Sequence, residues 1–270
     1  HLQILAADSG DSAAQFFPST IGDYKDLNHL IEFASKCDVI TFEHELVPNG
    51  HIRRLEELGH TVRPSSGALL HAQDKAHMRK SFASINLPQP RWKVVTASSE
   101  IDSYPVILKA ISGGYDGRGV RIVANEIEAQ SALTQWGSAL AEELIDFDRE
   151  LSIMIARSPH DQVSTWVVTE TVQHEGICTE TISPAPGLSD ATAFAAQQIA
   201  MAIAQHIGLV GVMAVEMFVK GEKIFINELA MRPHNSGHWT IDGARTSQFE
   251  QHLRAILDLP LGDPSMTAEY

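Results

Sequence analysis

The sequence predicts an α/β protein built from more than one packed unit, and three features carry that expectation. Strand-like and helix-like segments alternate from the first residues onward, the pattern of a parallel sheet with crossover helices. Glycine and proline punctuation divides the 270 residues into stretches long enough to hold separate cores. Late in the chain two apolar runs flank a glycine-containing turn, the signature of a β-hairpin.

Taken in order, His1-Leu2-Gln3-Ile4-Leu5-Ala6 opens as a strand, Lys25 to Ser35 is helix-like, and Val39-Ile40-Thr41-Phe42 is the next strand. Gly59-His60-Thr61-Val62-Arg63-Pro64-Ser65-Ser66 marks a junction, with Ser65 or Ser66 capping the helix that follows. Helical periodicity then runs from Ala68 to Ile85 and stops at Leu87-Pro88-Gln89-Pro90. Strands near Trp92 to Val95, Val106 to Leu108 and Val120 to Val123, with a helix over Glu126 to Trp136, fit a small lid. Ala139 to Ile145, Ser152 to Ile155 and Gln162 to Val172 are expected to begin a larger sheet. A helix over Ala191 to His206 crosses it before the hairpin. Domains are therefore expected at 1–64, 65–141 and 142–262, with 263–270 opening a further segment.

Composition narrows the partners. A formal net charge of −14 argues against nucleic acid or an anionic membrane as a general partner. No apolar run approaches the roughly 18 residues needed to span a bilayer. The two cysteines, Cys37 and Cys178, have no metal-ligand spacing and read as free thiols of a reducing cytoplasm.

The polar run Asn227-Glu228-Leu229-Ala230-Met231-Arg232-Pro233-His234-Asn235-Ser236-Gly237-His238-Trp239 is the most informative part of the chain. It follows Ile224-Phe225-Ile226 directly, and a buried strand opening into so polar a loop points to a ligand. Glu216 lies in the facing run, Val215-Glu216-Met217-Phe218-Val219. Side chains alternate along strands, so Glu216 and Glu228 share a face only if the connecting loop is odd or a bulge intervenes. A three-residue loop, Lys220 to Glu222, is expected. That would bring both carboxylates to one end of a sheet, where they could share a hard cation such as Mg²⁺ with phosphate oxygens. The alternative is two solvent-facing acids on an edge hairpin.

Upstream, Pro105-Val106-Ile107-Leu108-Lys109 reads as a short buried strand ending in a lysine. It runs into Ser112-Gly113-Gly114-Tyr115-Asp116-Gly117-Arg118-Gly119-Val120, where four glycines in seven residues let backbone N–H groups approach phosphate. The loop is neither a Walker motif nor a Rossmann fingerprint. Alone it is a weak signal. Joined to the preceding lysine and the later acids, it describes a nucleotide site.

On these residues, and on Phe147-Asp148-Arg149-Glu150-Leu151-Ser152, Thr240-Ile241-Asp242-Gly243 and Thr246-Ser247-Gln248-Phe249-Glu250-Gln251-His252-Leu253-Arg254, the chain resembles the ATP-grasp superfamily. Within it the chain resembles the 5-(carboxyamino)imidazole ribonucleotide synthases, from about Leu2 to Gly262. The resemblance implies an ATP-grasp fold, two α+β subdomains clasping ATP, preceded by a Rossmann-like N-terminal α/β domain. It also implies a strand, glycine-rich turn and helix ahead of His1, so that this domain is expected to be incomplete. A small C-terminal domain supplying basic residues to the substrate phosphate is expected beyond Tyr270.

The resemblance further implies an ATP- and bicarbonate-dependent carboxylation of 5-aminoimidazole ribonucleotide in purine biosynthesis, by a cytoplasmic homodimer using ATP and Mg²⁺. Lys75, Lys109, Gly114, Tyr115, Asp116, Gly117, Arg118, Gly119, Val120, Asn227 and Glu228 would hold the phosphates. The backbone of Glu142-Glu143-Leu144-Ile145 would meet the adenine edge, with Ile145 over the ring and Glu150 on the ribose. Glu216 and Glu228 would bind the metal. Arg232 would take bicarbonate or carboxyphosphate, because its planar fork suits a carboxylate-like anion. His234, Asn235, Ser236 and His238 would shape that pocket or move a proton. Glu45, Tyr115, Asp116, Arg118 and Arg232 match the aminoimidazole contacts, while His44 departs from the aromatic or aliphatic residue expected there. Competing readings are another ATP-grasp ligase, such as a formate-dependent glycinamide ribonucleotide transformylase or a biotin carboxylase-like enzyme, and a nucleotide-binding module without catalysis. The Glu216/Glu228 pair with Lys109 speaks against the last. Biotin-dependent chemistry is expected to come with a carrier domain, of which these residues carry no trace.

Overall fold

The computed structural model describes residues 1–114, 119–174 and 176–267. At the N-terminus β1 (Ile4–Ala6) pairs in parallel with β2 (Ser19–Ile21). Helix α1 (Leu27–Ala34) starts at Asp26, whose carboxylate accepts the Asn28 N–H, and α2 (Asn49–Glu57) follows. The strand expected over 39–42 narrows to one parallel bridge, Ile40 to Val62, because the chain then turns at Glu43-His44-Glu45, where the His44 ring accepts the Leu46 N–H.

The single helix expected over 68–85 is two helices, α3 (Ser66–Gln73) and α4 (Lys75–Ser84). Ser65 caps the first. Asp74 ends it with extended backbone (φ −131°, ψ 105°) and caps the second by accepting the His77 N–H at 2.8 Å. An Asp carboxylate competes with the helix for nearby N–H groups, which a periodicity count does not register. The break frees the Lys75 N–H to reach the Ile111 carbonyl at 2.9 Å, tying this helix start to the lid.

The lid comprises β3 (Trp92–Val95), β4 (Val106–Ala110), β5 (Val120–Val123), α5 (Glu126–Trp136) and β6 (Ala139–Glu143). Its antiparallel sheet has the order β3-β6-β4-β5. The 139–145 segment therefore belongs to the lid and not to the larger sheet as expected. Ala139 and Ala141 complete the small core with Val95, Val106, Leu108 and the buried face of α5, and that packing decides its partner.

The larger sheet contains β7 (Arg149–Arg157), β8 (Val163–Thr165), β9 (Thr169–His174), β10 (Ile177–Ile182), β11 (Gly211–Lys220) and β12 (Lys223–Ala230). Its order is β10-β9-β7-β11-β12, with β8 on β7, and its pairings are antiparallel; among the described residues parallel pairing is confined to the N-terminal part. The strand expected over 162–172 is broken between β8 and β9, where Trp166 turns inward and its indole N–H donates to the Thr246 carbonyl. Helix α6 (Asp190–His206) crosses the sheet, and α7 (Thr240–Gly243) and α8 (Gln248–Ile256) follow.

Alternation gives this sheet two different faces. Leu151, Ile153, Ile155, Met213, Val215 and Met217 point to one side and pack on Ala196, Ala200 and Ile203 of α6. Each buried aliphatic side chain there contributes about 1.5–3 kcal/mol. The other face carries Met154, Ala156, Val212 and Ala214 against Trp239 at one end. At its other end it carries Glu150, Ser152, Glu216 and Phe218, because Glu216 pairs with Ser152 and Phe218 with Glu150. Among the described residues no helix is long and apolar enough to cross a membrane.

Candidate functional site

The hairpin departs from the expected three-residue loop. Lys220 pairs with Lys223, so only Gly221-Glu222 connects the strands, and Gly221 takes φ +58° at the first turn position. An even loop by itself would leave Glu216 and Glu228 on opposite faces. A bulge compensates. The register runs from Val215 opposite Leu229 to Met217 opposite Ile226, which places one extra residue on β12 across from Glu216. The extra residue turns Glu228 to the face that carries Glu216 and Glu150. Asp148 secures the turn by accepting the Gly221 N–H at 2.7 Å and pairing with Lys220.

Cations from two other elements converge on this point. Lys75, the first residue of α4, places Nζ 3.0 Å from Glu228 Oε2. Lys109 of β4 donates to Asn227 Oδ1 at 2.8 Å and lies 3.1 Å from Glu142 and 3.5 Å from Glu228. Burial works against a charge on Glu228, yet Lys75 and Lys109 hold its carboxyl down at about 2. Glu216 faces the opposite balance. Burial, with the charges of Glu228 and Glu150, pushes it up to about 7, and burial alone raises Glu150 to about 7.

Glu216 and Glu228 are the carboxylates that would take a divalent cation. Three carboxylates share one face, and two of them have too little positive charge nearby to ionise at their ordinary pH. Among the described residues no group of three or more His, Cys, Asp or Glu side chains could hold a metal unaided. Phosphate oxygens or water would have to complete the shell.

Glu142 serves the frame with its side chain. Its carboxylate is almost fully buried between Lys109 and Arg79; burial raises its pKa, but those two cations bring it below the ordinary range. Glu143 accepts from the Arg91 backbone and guanidinium. Strand β6 ends there, so the backbones of Leu144 and Ile145 leave the ladder. Phe147 stacks on Phe218 nearby, centroids 4.6 Å apart and planes 7° from parallel. At the glycine loop, a Cβ on Gly119 (φ +77°) would lie 3.1 Å from the Ala110 Cβ and 3.3 Å from the Gly114 Cα, so only glycine fits. Val120 pairs with Lys109 at the start of β5. Tyr115, Asp116, Gly117 and Arg118 lie outside the described residues.

The polar loop after β12 is held from beneath. Glu45 accepts the Met231 N–H at 2.9 Å and Arg232 Nε at 2.8 Å, while Arg232 Nη1 donates to the Pro233 carbonyl. Nη2 is left without a protein partner among the described residues. The His44 ring packs edge-on to Tyr24. Gln248, fully buried at the start of α8, donates to the His234 carbonyl and accepts the His234 N–H, both at 2.8 Å. A Cβ on Gly237 would sit 2.6 Å from the Gln248 amide oxygen, which explains glycine there.

His234 Nδ1 accepts from the Ser236 N–H and lies 2.8 Å from Ser236 Oγ, so Nε2 carries the proton and faces Glu216 Oε1 at 3.5 Å. Burial, then the Arg232 and His238 charges, lowers its pKa to about 4 and keeps the ring neutral. Ser236 Oγ also meets Ser152 Oγ at 2.6 Å. Among the described residues the buried Asn235 side-chain oxygen has no partner, and His238 is exposed, stacked on Phe249. Arg79 is not singled out from the sequence, and Ser152 and Gln248 are named there only within longer motifs, with no role given to either. Arg79 has a local signal of its own, four residues after Lys75 and so on the same helix face.

The ATP-grasp domain family model matches residues 80–249, and that of the ribonucleotide synthetase preATP-grasp domain matches residues 1–73. The N5-carboxyaminoimidazole ribonucleotide synthase of Mycobacterium tuberculosis is 48% identical over 97% of this chain and 64% of that protein. The crystal structure of the Thermus thermophilus synthetase superposes with a TM-score of 0.89 at 34% identity, covering 99% of this chain and 74% of that one. The chain belongs to the N5-carboxyaminoimidazole ribonucleotide synthase family of ATP-grasp proteins. An Aspergillus clavatus synthase solved with ADP and 5-aminoimidazole ribonucleotide gives a TM-score of 0.89 at 28% identity, covering 99% of this chain and 73% of that one. The chain spans about 64% of the length of the first curated relatives it matches. Within this ATP-grasp frame, Lys75 and Arg79 fall between the two matched stretches, yet the fold delivers both to the Glu228 strand.

Proposed function

We propose that this chain carries the catalytic centre of an enzyme that uses ATP and bicarbonate to carboxylate the exocyclic amine of 5-aminoimidazole ribonucleotide. The observation that supports this most is the bulge-aligned Glu216/Glu228 pair, flanked by Lys75 and Lys109, with Arg232 four residues beyond Glu228. The N-terminal unit, the lid of β3 to β6 with α5, and the larger sheet would act as a substrate-side domain, a lid and a catalytic platform, in a cytoplasmic homodimer.

In this reading bicarbonate attacks the γ-phosphorus of ATP, the bond to ADP breaks, and carboxyphosphate forms. Catalysis of such a step is mostly positioning and charge neutralisation. Lys75, Lys109 and the Gly114–Val120 segment hold the phosphates, and Leu144, Ile145 and Glu150 hold adenine and ribose. Mg²⁺ on Glu216 and Glu228 would supply positive charge to the phosphate oxygens. Arg232, oriented by Glu45, offers Nη2 to bicarbonate or carboxyphosphate. Carboxyphosphate breaks to CO₂ and phosphate, and the amine nitrogen bonds to the carbon and loses a proton to give the carbamate. The released phosphate is the base that takes this proton, while neutral His234, with Nε2–H turned to Glu216 and Ser236 and Ser152 behind it, shapes the pocket as a hydrogen-bond donor. Asn235 and His238 line the same loop.

The test is ADP release measured with bicarbonate, with and without 5-aminoimidazole ribonucleotide. Release that depends on both supports the carboxylase. Release indifferent to the aminoimidazole overturns it.

A further inference from the structure

The bulge in β12 raises a question about its own stability. Successive carbonyls of a regular strand point to opposite sides within the sheet plane. At the bulge, the carbonyls of Ile226 and Asn227 both face the same group, the Arg79 guanidinium. β12 is an edge strand, so its outer side has no further strand to satisfy them. A buried carbonyl without a donor costs about 1–3 kcal/mol. Left alone, this segment would favour a regular ladder that turns Glu228 away from Glu216.

Arg79 removes that cost with a set of donors that no other side chain carries. Nη1 donates to the Ile226 carbonyl at 2.8 Å and Nη2 to the Asn227 carbonyl at 2.9 Å. Nε donates to Glu142 Oε1 at 2.5 Å, so the charge is balanced at 0% exposure. The planar fork meets two adjacent carbonyls at once, as a lysine cannot. Arg79 is held in turn, its own carbonyl accepting from Gln89 Nε2. The Ile226 N–H meanwhile donates to the Pro88 carbonyl, so both backbone groups of Ile226 are paired on the outer edge.

We infer that Arg79 is a positioning residue that clamps the β12 bulge and thereby sets Glu228 on the face of Glu216. Its donors go to Glu142 and two carbonyls, so it acts through the backbone that carries Glu228. The metal half of this inference rests on the carboxylate-pair reading above, while the clamp rests on the hydrogen bonds alone.

The test uses the whole chain with Arg79→Lys, which keeps the charge beside Glu142 but cannot span both carbonyls. Two readouts are taken: amide hydrogen exchange over 226–230, and Mn²⁺ affinity by calorimetry in the presence of ADP. Exchange over 226–230 should quicken while β7 stays protected. Mn²⁺ affinity should fall about 10–100-fold, the usual effect of losing a residue that orients a ligand, while metal-free ADP affinity changes little. Unchanged exchange overturns the clamp. Faster exchange with undiminished Mn²⁺ affinity overturns the link from clamp to carboxylates. A wild type that takes up no Mn²⁺ with ADP overturns the carboxylate-pair reading instead, and exchange alone then decides the clamp. Should Arg79→Lys not fold, Glu142→Gln is measured in its place; it keeps an acceptor for Nε but removes the countercharge. Exchange over 226–230 must quicken there too, or the inference fails.

Discussion

Lys75 Nζ lies 3.0 Å from Glu228 Oε2, although 153 residues separate them in the chain. One sits at a helix start between the two family matches and the other on an edge strand, and their pairing helps keep Glu228 ionised down to about pH 2. Lys109 reaches the same carboxylate from the lid. Three elements, α4, β4 and β12, thus meet at a single side chain.

Replacing Glu228 with Gln keeps the shape but leaves Lys75 and Lys109 without their carboxylate. ADP formation should fall by at least about 100-fold, as expected when a charge holding metal and phosphate is lost, with an unchanged circular dichroism spectrum. Normal turnover in this variant would take Glu228 out of the proposed metal role.

Glu216 makes pH a second handle. Its folded value, about 7, lies above its ordinary 4.5, so its stabilising contribution is complete below about 4.5 and is lost as pH rises through about 7. Glu150 behaves in the same sense. Without metal, Glu216→Gln should gain thermal stability relative to the parent as pH climbs from 5 to 8, and added Mg²⁺ should narrow the difference by stabilising the parent only. A stability difference that is flat with pH, measured by calorimetry across that range, would show that Glu216 is not held protonated.

Arg232→Lys keeps a positive charge but loses the planar fork that Glu45 orients. Nucleotide affinity should change little, because adenine, ribose and inner phosphates are assigned elsewhere. Carboxylation should lose about 2–4 kcal/mol of transition-state stabilisation, as when a positioned donor is removed. If ADP affinity drops and carboxylation survives, Arg232 belongs to the nucleotide site.

Gln248→Leu leaves the His234 N–H and C=O without their buried partner, although the volume is nearly kept. Each orphaned group costs about 1–3 kcal/mol, so the midpoint of urea unfolding should fall clearly. Turnover should suffer beyond any loss of folded protein, because the amide pair orients the imidazole. Unaltered turnover per folded molecule would make Gln248 a purely structural residue.

Much was legible in the sequence because it is local. Lys109 at the end of its strand, the Ser65 cap, the lid strands and α5 over Glu126 to Trp136 each follow from a handful of adjacent residues. The polar loop stands out before any fold is known, since so many donors and acceptors at a buried strand end need partners, and Glu45 and Gln248 supply several of them. Tertiary structure decided the rest. The hairpin pattern allowed either an odd loop or a bulge, and the bulge was realised because Gly221 closes a two-residue turn and Arg79 satisfies the carbonyls left over. Asp74 splits a periodic helix through one side-chain hydrogen bond, and β6 joins the lid because its alanines fit beneath α5. Glu45 meets Arg232 from 187 positions away. Periodicity records which face of an element is apolar, but a buried hydrogen bond or ion pair depends on what another element brings to it, and that partner exists only once the chain has folded.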